Sequence, residues 1–586
     1  MATGVAAEGA SMASRIREGL SPPAPDPNPL PTTPTTPTTA TAAAAMPPPP
    51  HTPLVGCEAG SFAEATITSR LPAILASMIA DVEAEAQQAA AAQAQEPQAA
   101  QQVAAGLAEL RALRAAMLDN AALPPLVPAA TAPAMTQVLL DAANACVELA
   151  ASRQQAQAAA AAGSSGSSAR QAEMMLQPTW LGFPWLLVEC YKYGAIHAAM
   201  TRQLALAGMD PFRKQKVAGW RKSVPAAADM AAEAELLLQA LHTAAAGGDA
   251  GQQRAAAKAA CLAALQMALW GNKADLSLLV NAAGLDAAAL GLGSGAAAAA
   301  QQQQQTGSEL VPASHVIVDH SEAVWGALDS LRTRRLQRLH GSGSGGSSNS
   351  GGGGAGAGAL PALQSQSAPA SKPPPPPPCV RLDVVLDNSG LELFADLCLA
   401  DLGVEAGVAD HVVLHGKQIS WFVSDTLAPD LDWLLADCEA EQPPPGADKV
   451  SAAAWGAVRR LAARWRAHLA AGRWSWSAHP FWTTPAPYCW MAHVAPDLYG
   501  QLAASDLIIL KGDLNYRKLT HDCRWPHDTP FEESLQGFKP APLVALRTCK
   551  ADVVAGLARG QSEALSAADA DWLVNGKWGM VQGAWL

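Results

Sequence analysis

The stretch VRLDVVLDNSGLELFADLCLADL, residues 380–402, contains a change of hydrophobic period that decides the fold. Residues 380–386 form an apolar and partly β-branched run, interrupted by Arg381 and Asp383, which is typical of a strand at least partly buried in a sheet. From Ser389 onward, apolar residues recur every three or four positions, which predicts a helix. Asp387 and Asn388 therefore stand at the carboxyl end of a strand that leads into a helix, where open α/β sheets bind their ligands. We interpret these two residues as half of a functional site.

The part of the chain after residue 378 alternates between strand-like and helix-like segments. Strands are predicted at residues 380–386, 411–415, 419–423, 507–511 and 543–547, and helices at residues 427–438 and 450–469. Such alternation favours a mostly parallel sheet with right-handed crossover connections. We therefore predict an α/β catalytic domain at residues 379–586 with a three-layer, Rossmann-like α/β/α core.

Low-complexity tracts divide the rest of the chain. Residues 1–58 predict a disordered tail, because their Pro, Thr and Ala cannot bury enough apolar surface to offset the entropy of ordering. Residues 59–290 show helical periodicity, which predicts an N-terminal all-helical domain. Residues 291–378 predict a low-complexity linker that contains one helix near residues 315–340. We interpret the low-complexity inserts as segments that project from the fold.

The charge balance argues against a nucleic-acid partner. The chain of 586 residues has a formal net charge of −12 without long blocks of like charge, whereas nucleic-acid-binding domains carry basic patches. No window of about 18 strongly apolar residues is visible, so no membrane partner is predicted. The ten cysteines include no CxxC pair, which favours a reducing compartment over a disulfide framework. We expect a cytoplasmic protein, with an N-terminal organellar transit peptide as the alternative, and the sequence identifies no protein partner.

The ends of the predicted strands gather polar side chains. They are Asp387, Asn388, Ser424, Asp425, Lys511, Asp513, Arg547, Thr548 and Lys550, with Arg517 shortly after the fourth strand. Asp387, Asn388 and Asp425 form an all-oxygen set, which suits a hard cation such as Mg²⁺ or Mn²⁺ rather than zinc. Arg517, Arg547 and Lys550 supply donors of the type that holds a phosphate. Together these residues predict metal-assisted phosphoryl chemistry.

A purely structural role remains an alternative for each of these residues. An Asp that ends a strand caps a helix at least as often as it binds a ligand, and RTCK at residues 547–550 would also suit a basic surface turn. Glu189 is a candidate buried acid, but a structural acid bonded to a neighbouring Arg is an equal alternative. Asn272 and Asp275 are secondary candidates that would simply end one helix and cap the next. What favours a site is the recurrence of polar residues at one edge of one predicted sheet.

Several blocks of the chain carry a resemblance to a known family. They are VVLDNSGLELFADLCLADL, HGKQISWFVSDT, FWTTPAPYCWMAHVAPDLYGQL, DLIILKGDLNYRKLTHDCRW and GFKPAPLVALRTCKADVVAGL, together with the helical blocks SFAEATITSRLPAIL, PWLLVECYKY and ALWGNKADLSLL. The chain resembles the damage-control phosphatase family, formerly a domain of unknown function, in its RTxK subfamily. That subfamily includes a protein also described as an acidic residue (protein-glutamate) methyltransferase. The likeness covers residues 61–586 apart from the inserts.

The resemblance implies a role for each site residue. It implies that Asp387, Asn388 and Asp425 hold a divalent metal, Mn²⁺, Ni²⁺, Co²⁺ or Mg²⁺. The substrate contacts that it implies are Glu392, Asp513, Leu514, Asn515, Tyr516, Arg517, Arg547 and Lys550. Lys550 is expected on the substrate phosphate, so Asp387, Asp425 and Lys550 are the catalytic candidates.

The family implies hydrolysis of small sugar phosphates such as fructose 1-phosphate and fructose 6-phosphate, with Asp387 or a metal-bound water as the nucleophile. A second activity that the family implies is methylation of protein glutamate by S-adenosylmethionine. The residues favour it less, because the strand ends in DNSG, residues 387–390, where a Gly-rich nucleotide-binding turn would be expected. A non-catalytic scaffold that binds partners through its Pro-rich segments is a third alternative. One departure from the family is visible at Gly194 and Ala195, where the family usually carries a basic pair.

Overall fold

A seven-stranded sheet forms the centre of the chain. The structure, a computed structural model, describes residues 12–20, 46–92, 97–130, 132–161, 178–271, 315–341, 379–445, 447 and 450–585. The strands are β1 (Val316–Asp319), β2 (Arg381–Val385), β3 (His411–Gly416), β4 (Trp474–Ala478), β5 (Leu507–Lys511), β6 (Leu543–Thr548) and β7 (Gly579–Ala584). Strands β2, β3, β5 and β6 lie where the apolar runs predict them.

The strand order places a crossover point at the middle of the sheet. The order is β1-β7-β6-β5-β2-β3-β4, and neighbouring strands run parallel except for β6 and β7. From β2 the chain moves outward through β3 to β4 and then returns to β5 on the other side of β2. The carboxyl ends of β2 and β5 therefore flank a topological switch point, where open α/β sheets bind ligands.

Helices cover both faces of this sheet. The helices before β1 are α1 (residues 12–18), α2 (Phe62–Ala65, a π-helical turn Thr66–Arg70, and Leu71–Ala92), α3 (Pro97–Leu118), α4 (Ala134–Ala161), α5 (Trp185–Thr201), α6 (Arg213–Gly247) and α7 (Ala250–Trp270). The helices after β1 are α8 (Ser321–Gly341), α9 (Leu391–Glu405), α10 (Ala428–Glu439), α11 (Ala452–Ala470), α12 (Met491–Val494), α13 (Pro496–Ala503), α14 (Gly512–Leu519), α15 (Phe531–Ser534) and α16 (Gln561–Ala568). The predicted three-layer α/β architecture with a mostly parallel sheet is confirmed.

Successive residues of the central strands join two separate cores. On one face, Val385 of β2 and Ile508 of β5 belong to a core shared with α2, α3, α4 and α5. On the other face, Val384 of β2 and Ile509 of β5 belong to a core shared with α6, α7, α9 and α11. Side chains alternate between the faces of a strand, and a sheet covered on both faces needs apolar residues at every position. This explains the apolar run of β5 up to Lys511 and the apolar residues of β2, in which the buried Asp383 is paired with Arg381 and His415.

The predicted boundary of an N-terminal helical domain, residue 290, lies outside the described residues, but the helices before it pack on the sheet. Helices α2 to α5 share their core with one face of the sheet. Helices α6 and α7 pack on the opposite face, where the Trp220 ring lies 5.9 Å from the Phe394 ring of α9. Among the described residues, the N-terminal helices therefore contribute to both outer layers, together with α9, α10 and α11 on the second face. Helical periodicity shows that one face of a helix is buried, but it does not show which element covers that face.

Two pieces of the N-terminal tail pack against the fold, which corrects the prediction that the whole tail is disordered. Helix α1 buries Met12 and Ile16 in the core of the helical layer. Met46 is also fully buried there, and Trp490 Nε1 donates a hydrogen bond to the Pro47 carbonyl at 2.9 Å. A few apolar residues suffice here, because a helical layer that is already folded supplies the other side of each contact.

We expect Met46→Ala to lower the free energy of unfolding by about 2 to 5 kcal/mol, the usual cost of truncating a buried Met. Met46 is 0% exposed, so the truncation would leave a cavity. The control is Met46→Leu, which keeps the volume and should cost less than about 1.5 kcal/mol. Urea unfolding of both variants measures the difference. Wild-type stability in Met46→Ala would show that this segment does not pack on the core.

The predicted strand at residues 419–423 is wrong. These residues form turns after β3, and Phe422 and Val423 have φ angles of 41° and 69°, in the left-handed region. Ile419 and Val423 are nevertheless buried, so the apolar run marks burial of a loop. Three observed strands were not predicted, namely β1, β4 and β7. The helix predicted near residues 315–340 is α8, and the residues just before it form β1.

Among the described residues, one helical segment is long and apolar enough to cross a membrane, whereas the sequence predicted none. It spans Phe62–Gln88, and half of its most apolar window is buried inside the protein. Ile67, Leu71 and Ile74 of this segment lie in the core beside the sheet. Packing within the fold therefore accounts for its apolar face.

Candidate metal and phosphate site

The turn between β2 and α9 places Asp387 and Asn388 beside the switch point. Gly390, which precedes α9, has a φ of 73°, and Gly512, directly after β5, has a φ of 83°. A Cβ atom on Gly512 would lie 1.8 Å from Asp387 Oδ2. Only glycine therefore lets the Asp387 carboxylate lie against the backbone that leads into α14. This close approach joins the carboxyl ends of β2 and β5 into one site.

Asp425 reaches the same place from the loop after β3. The backbones of Asn388 and Asp425 pair in an isolated antiparallel bridge, and the Thr426 N–H donates to the Asp387 carbonyl at 2.9 Å. Ser424 Oγ donates to Asn388 Oδ1 at 2.5 Å. The three predicted metal ligands therefore lie on two adjacent loops that are bonded to each other.

The buried carboxylates of this site repel one another. Burial raises the pKa of Asp387 well above its ordinary value, and the charges of Glu392 and Asp425 raise it further. The ammonium groups of Lys417 and Lys550 act in the opposite direction. Like charges this close resist simultaneous ionisation, and a divalent cation among them would offset the repulsion. The residues therefore fit a metal by their charge as well as by their oxygen donors.

Glu392 lies one helical turn beyond Asn388 and is held from two sides. Its Oε2 accepts a hydrogen bond from Asn388 Nδ2 at 2.8 Å, and its Oε1 accepts one from Lys511 Nζ at 3.0 Å. Lys511 Nζ also pairs with Asp396 Oδ1 at 2.7 Å and donates to the Ala268 carbonyl at 2.7 Å. Burial lowers the pKa of Lys511, but Asp396 and Glu392 raise it by more, so Lys511 stays an ammonium ion. Glu392 is thus fixed next to a proposed metal ligand.

A second charged cluster connects α14 with the RTCK motif. Arg547 Nε donates to Asp513 Oδ1 at 2.7 Å, and the Lys550 backbone N–H donates to the same oxygen at 3.3 Å. Arg547 also donates to the Ala551 carbonyl at 2.9 Å. These bonds hold the RTCK loop in shape. Lys550, like Lys417, is a cation that lowers the pKa of Asp387.

Arg517 is committed to two buried carboxylates. It donates to Asp522 through Nε at 2.7 Å and Nη2 at 3.0 Å, and to Glu189 Oε2 through Nη1 at 2.7 Å. Its guanidinium carbon lies 3.8 Å from the centre of the Trp185 ring. The structural alternative for Glu189, an acid bonded to a neighbouring Arg, is therefore the observed one. This ion pair fastens α5 to the end of α14.

The middle of the DLNYR motif also packs into the protein. Asn515 Nδ2 donates to the Lys511 carbonyl at 2.7 Å, and its Oδ1 accepts from the Tyr488 hydroxyl at 2.5 Å. Leu514 and Tyr516 are buried in the core. These side chains hold α14 against the sheet, so any substrate contact from them would fall to their backbone groups.

The remaining expectations fall in the helical layer. Asn272 and Asp275 lie outside the described residues. Gly194 in α5 faces Leu126, whose Cδ1 would stand 3.0 Å from an added Cβ, and Ala195 is buried. A basic pair at these positions would need this packing to shift. The departure from the family pattern thus lies in the helical layer and does not involve the loops after β2 and β3.

Sequence reasoning missed two residues at the site. Lys417 Nζ lies 3.2 Å from Asp425 Oδ2, and burial together with the charges of Asp387 and Asp425 raises the pKa of Tyr488 well above its ordinary value. Lys417 directly follows β3, so the rule that strand ends carry function would have found it without the false strand at residues 419–423. Tyr488 lies in a short 3₁₀ turn, and no local pattern marks it.

A second group of side chains with metal-ligand chemistry lies further along α9. Asp401, Glu405 and His468 bring one ligand atom each within 4.8 Å of one another. Arg464 already bonds both Asp401 oxygens, at 2.9 and 3.1 Å, and lies 3.0 Å from Glu405 Oε1. Because this guanidinium supplies the positive charge, we interpret the group as an ion-pair network that joins α9 to α11.

The sequence is similar to a known protein family over both the helical layers and the residues of the site. The sequence profile of the damage-control phosphatase ARMT1-like domain matches residues 66–338 and 376–565. Damage-control phosphatase ARMT1 of Danio rerio is 32% identical over 411 residues, which cover 69% of this chain and 74% of the relative. The protein of the same name from Xenopus laevis is 33% identical over 406 residues, covering 69% and 76%. That of Homo sapiens is 32% identical over 403 residues, covering 69% and 75%.

The second matched region includes β2, the loop after β3, α14 and the RTCK motif. The resemblance drawn from the motifs is therefore confirmed, and the relatives are named as phosphatases. This chain belongs to the ARMT1-like damage-control phosphatases and is a phosphatase of metabolite repair.

Proposed function

We propose that this phosphatase depends on a divalent metal and hydrolyses small sugar phosphates of the fructose 1-phosphate and fructose 6-phosphate type. The observation that carries the proposal is the meeting of Asp387, Asn388 and Asp425 at the switch point of the sheet, with Lys550 close enough to lower the pKa of Asp387. Acidic ligands for a cation and a cation for a phosphate thus lie side by side.

The donor set favours a hard or intermediate divalent cation. Carboxylate and amide oxygens suit Mn²⁺ and Mg²⁺, and Co²⁺ or Ni²⁺ bind oxygen sites as well. A phosphate monoester would be repelled by Asp387 and Asp425 if no cation lay between them. When bound, the metal supplies a Lewis acid that polarises the phosphoryl group. Asn388 Nδ2 donates to Asp387 Oδ2 at 3.1 Å, so this carboxylate is already oriented by its neighbour.

The protein's own groups would orient the substrate. Lys550 would offset negative charge on the phosphoryl oxygens, and Asp513 fixes the base of this lysine through its backbone N–H. Glu392, held between Asn388 and Lys511, has carboxylate oxygens able to accept a hydrogen bond from a sugar hydroxyl. These contacts support recognition of a small, hydroxylated phosphate ester.

The methyltransferase alternative is favoured by no contact among the described residues. The turn after β2 carries the polar side chains of Asp387 and Asn388, where a nucleotide-type turn would bring Gly-rich backbone to the ligand. Methyl transfer gives the acidic cluster no necessary role. We therefore propose no use of S-adenosylmethionine.

A substrate panel tests this proposal. The purified chain should release inorganic phosphate from fructose 1-phosphate and fructose 6-phosphate when Mn²⁺, Co²⁺, Ni²⁺ or Mg²⁺ is present, and a chelator should stop the release. A phosphoserine peptide, which lacks the sugar hydroxyls, should be a poorer substrate by kcat/KM. Equal kcat/KM for the peptide and the sugar phosphates would overturn the sugar assignment, and full activity in the chelator would overturn the metal assignment.

A further inference from the structure

Lys417 is a buried lysine that touches both loops of the proposed metal site. It follows β3 directly and is 2% exposed. Its Nζ donates to the Leu386 carbonyl at 3.1 Å and forms an ion pair with Asp425 Oδ2 at 3.2 Å. Leu386 immediately precedes Asp387. The Lys417 ammonium group therefore contacts both the backbone just before Asp387 and the carboxylate of Asp425.

The two ends of this contact are anchored independently of the ammonium group. The Lys417 N–H donates to the Thr426 carbonyl at 2.9 Å, and Lys417 pairs with Leu427 in a parallel bridge. The Leu386 N–H donates to the His415 carbonyl at 3.0 Å. The lysine side chain therefore adds a further link between two segments whose backbones also pair directly, through the Thr426 N–H and the Asp387 carbonyl at 2.9 Å.

We propose that Lys417 is a positioning residue that fixes the Asp425 carboxylate for cation binding by holding it next to the Leu386 carbonyl, at the start of the Asp387 segment. This inference rests on the proposed metal-dependent function and deepens it. Lys417 touches groups that would bind the metal and acts through them. Removal of a group that orients a metal ligand typically weakens metal binding by about 10- to 100-fold.

The charge of Lys417 and its positioning role predict opposite effects of its removal on the affinity for a divalent cation. An ammonium ion 3.2 Å from a ligand oxygen also repels an incoming divalent cation. If charge alone mattered, removing it would strengthen metal binding. If Lys417 fixes the ligand geometry, removing it would weaken metal binding. The sign of the change therefore distinguishes the two roles.

Calorimetric titration of the full chain with Mn²⁺ alone measures this sign. We expect Lys417→Met, which keeps an unbranched side chain, to raise the Kd for Mn²⁺ by about 10- to 100-fold. Lys417→Arg keeps the charge but changes the length and shape of the donor group, and it should also raise the Kd. At saturating Mn²⁺ the kcat of either variant should recover, while the Mn²⁺ concentration that gives half of the maximal rate should rise.

The matched control is Lys216→Met. Lys216 is 1% exposed and pairs with Asp430 at 2.7 Å and Asp210 at 3.0 Å, so the substitution also breaks a buried pair of Lys with Asp. It should lower stability, because it leaves the buried Asp430 carboxylate with only the more distant Arg213 guanidinium, at 3.5 Å, and it should leave the Kd for Mn²⁺ unchanged.

An unchanged or lower Kd in both Lys417 variants, with tight binding by the wild type, would overturn the positioning role and leave the proposed function standing. Absence of Mn²⁺ binding by the wild type would overturn both. If Lys417→Met does not fold, Lys417→Arg decides, because a raised Kd supports the role and an unchanged Kd overturns it. An equal rise in Kd for Lys216→Met would reduce the effect to general destabilisation and overturn the role as well.

Discussion

Replacing Asp387 with Asn should lower metal-dependent phosphatase activity by about 10³-fold or more, because a bound cation contributes several kcal/mol to the stabilisation of phosphoryl transfer. Asp425→Asn should have a similar effect, since both carboxylates are proposed ligands on the two bonded loops. Steady-state phosphate release at saturating metal measures both variants. Near wild-type turnover in either variant would show that the ligand assignment is wrong.

Asp383, which lies in the strand that leads to Asp387, provides the control for Asp387. It is 0% exposed, and its Oδ1 lies 2.6 Å from His415 Nε2. Asp383→Asn removes a buried carboxylate from β2 without touching the proposed site, so it should lower stability and keep kcat. A loss of kcat in Asp383→Asn equal to that in Asp387→Asn would mean that the activity reports the integrity of β2 alone.

The two Asp substitutions should change stability in opposite directions. Burial and neighbouring carboxylates raise the pKa of Asp387, so in metal-free protein its ionisation opposes folding at high pH. Despite burial, His415 and Arg381 lower the pKa of Asp383, so its ionised form stabilises the fold above the ordinary carboxyl pKa and loses this contribution as the pH falls. Asp387→Asn should therefore raise the Tm and Asp383→Asn should lower it.

The pH dependence of these differences provides a second check. The rise in Tm of Asp387→Asn should be largest at alkaline pH and shrink as the pH falls and the wild-type carboxyl group takes up a proton. The fall in Tm of Asp383→Asn should stay nearly constant above pH 5, because the lowered pKa of Asp383 keeps its carboxylate ionised there. Thermal unfolding in a chelator between pH 5 and pH 9 measures both curves. Differences of the same sign would contradict the assigned electrostatics.

Lys550→Ala should lower kcat/KM by about 10²- to 10³-fold, the usual effect of removing one preorganised group that stabilises developing charge. If Lys550 binds the phosphate in the ground state and the transition state alike, KM should rise; if it acts mainly on charge that develops during the reaction, kcat should fall instead. Lys550→Arg should recover little activity, because a planar guanidinium does not replace a compact ammonium group.

Lys577→Ala is the control for Lys550. Lys577 is exposed, and it follows Gly576, where an added Cβ would lie 3.6 Å from Lys550 Cε. Lys577→Ala therefore removes a lysine charge from the neighbouring loop, and this substitution should leave kcat and KM unchanged. Unchanged constants in Lys550→Ala too would mean that Lys550 serves only the turn after β6.

The centre of the fold was predictable because its strands are buried on both faces. Strand β5 is a continuous apolar run up to Lys511, and β2 is apolar except for Arg381 and Asp383. Polar residues follow both strands, and the carboxyl ends of these strands form the two sides of the switch point. Apolar runs did not reveal the strands at the edges of the sheet. Strand β4 alternates Trp and Ser as WSWSA and is only partly buried, and β1 has four residues at the opposite edge. Short edge strands carry too little apolar signal to be distinguished from loops.

The roles of the arginines were not predictable, because a guanidinium binds carboxylates, carbonyls and phosphates with the same donors. Arg517 pairs with Glu189, 328 positions earlier in the chain, and only the packing of α5 on α14 brings them together. Arg547 likewise bonds Asp513. Local sequence marks such residues as cations near a strand end, but only the tertiary fold shows whether their donors are already used.

Release of phosphate from fructose 1-phosphate by metal-stripped wild-type protein, with Mn²⁺ added back stepwise, tests metal dependence at this site most directly. We predict no turnover without metal, a saturable rise in rate with Mn²⁺, and loss of that response in Asp387→Asn and Asp425→Asn. Turnover that is independent of Mn²⁺, or a Mn²⁺ response that survives both substitutions, would contradict the assignment of the metal and its ligands.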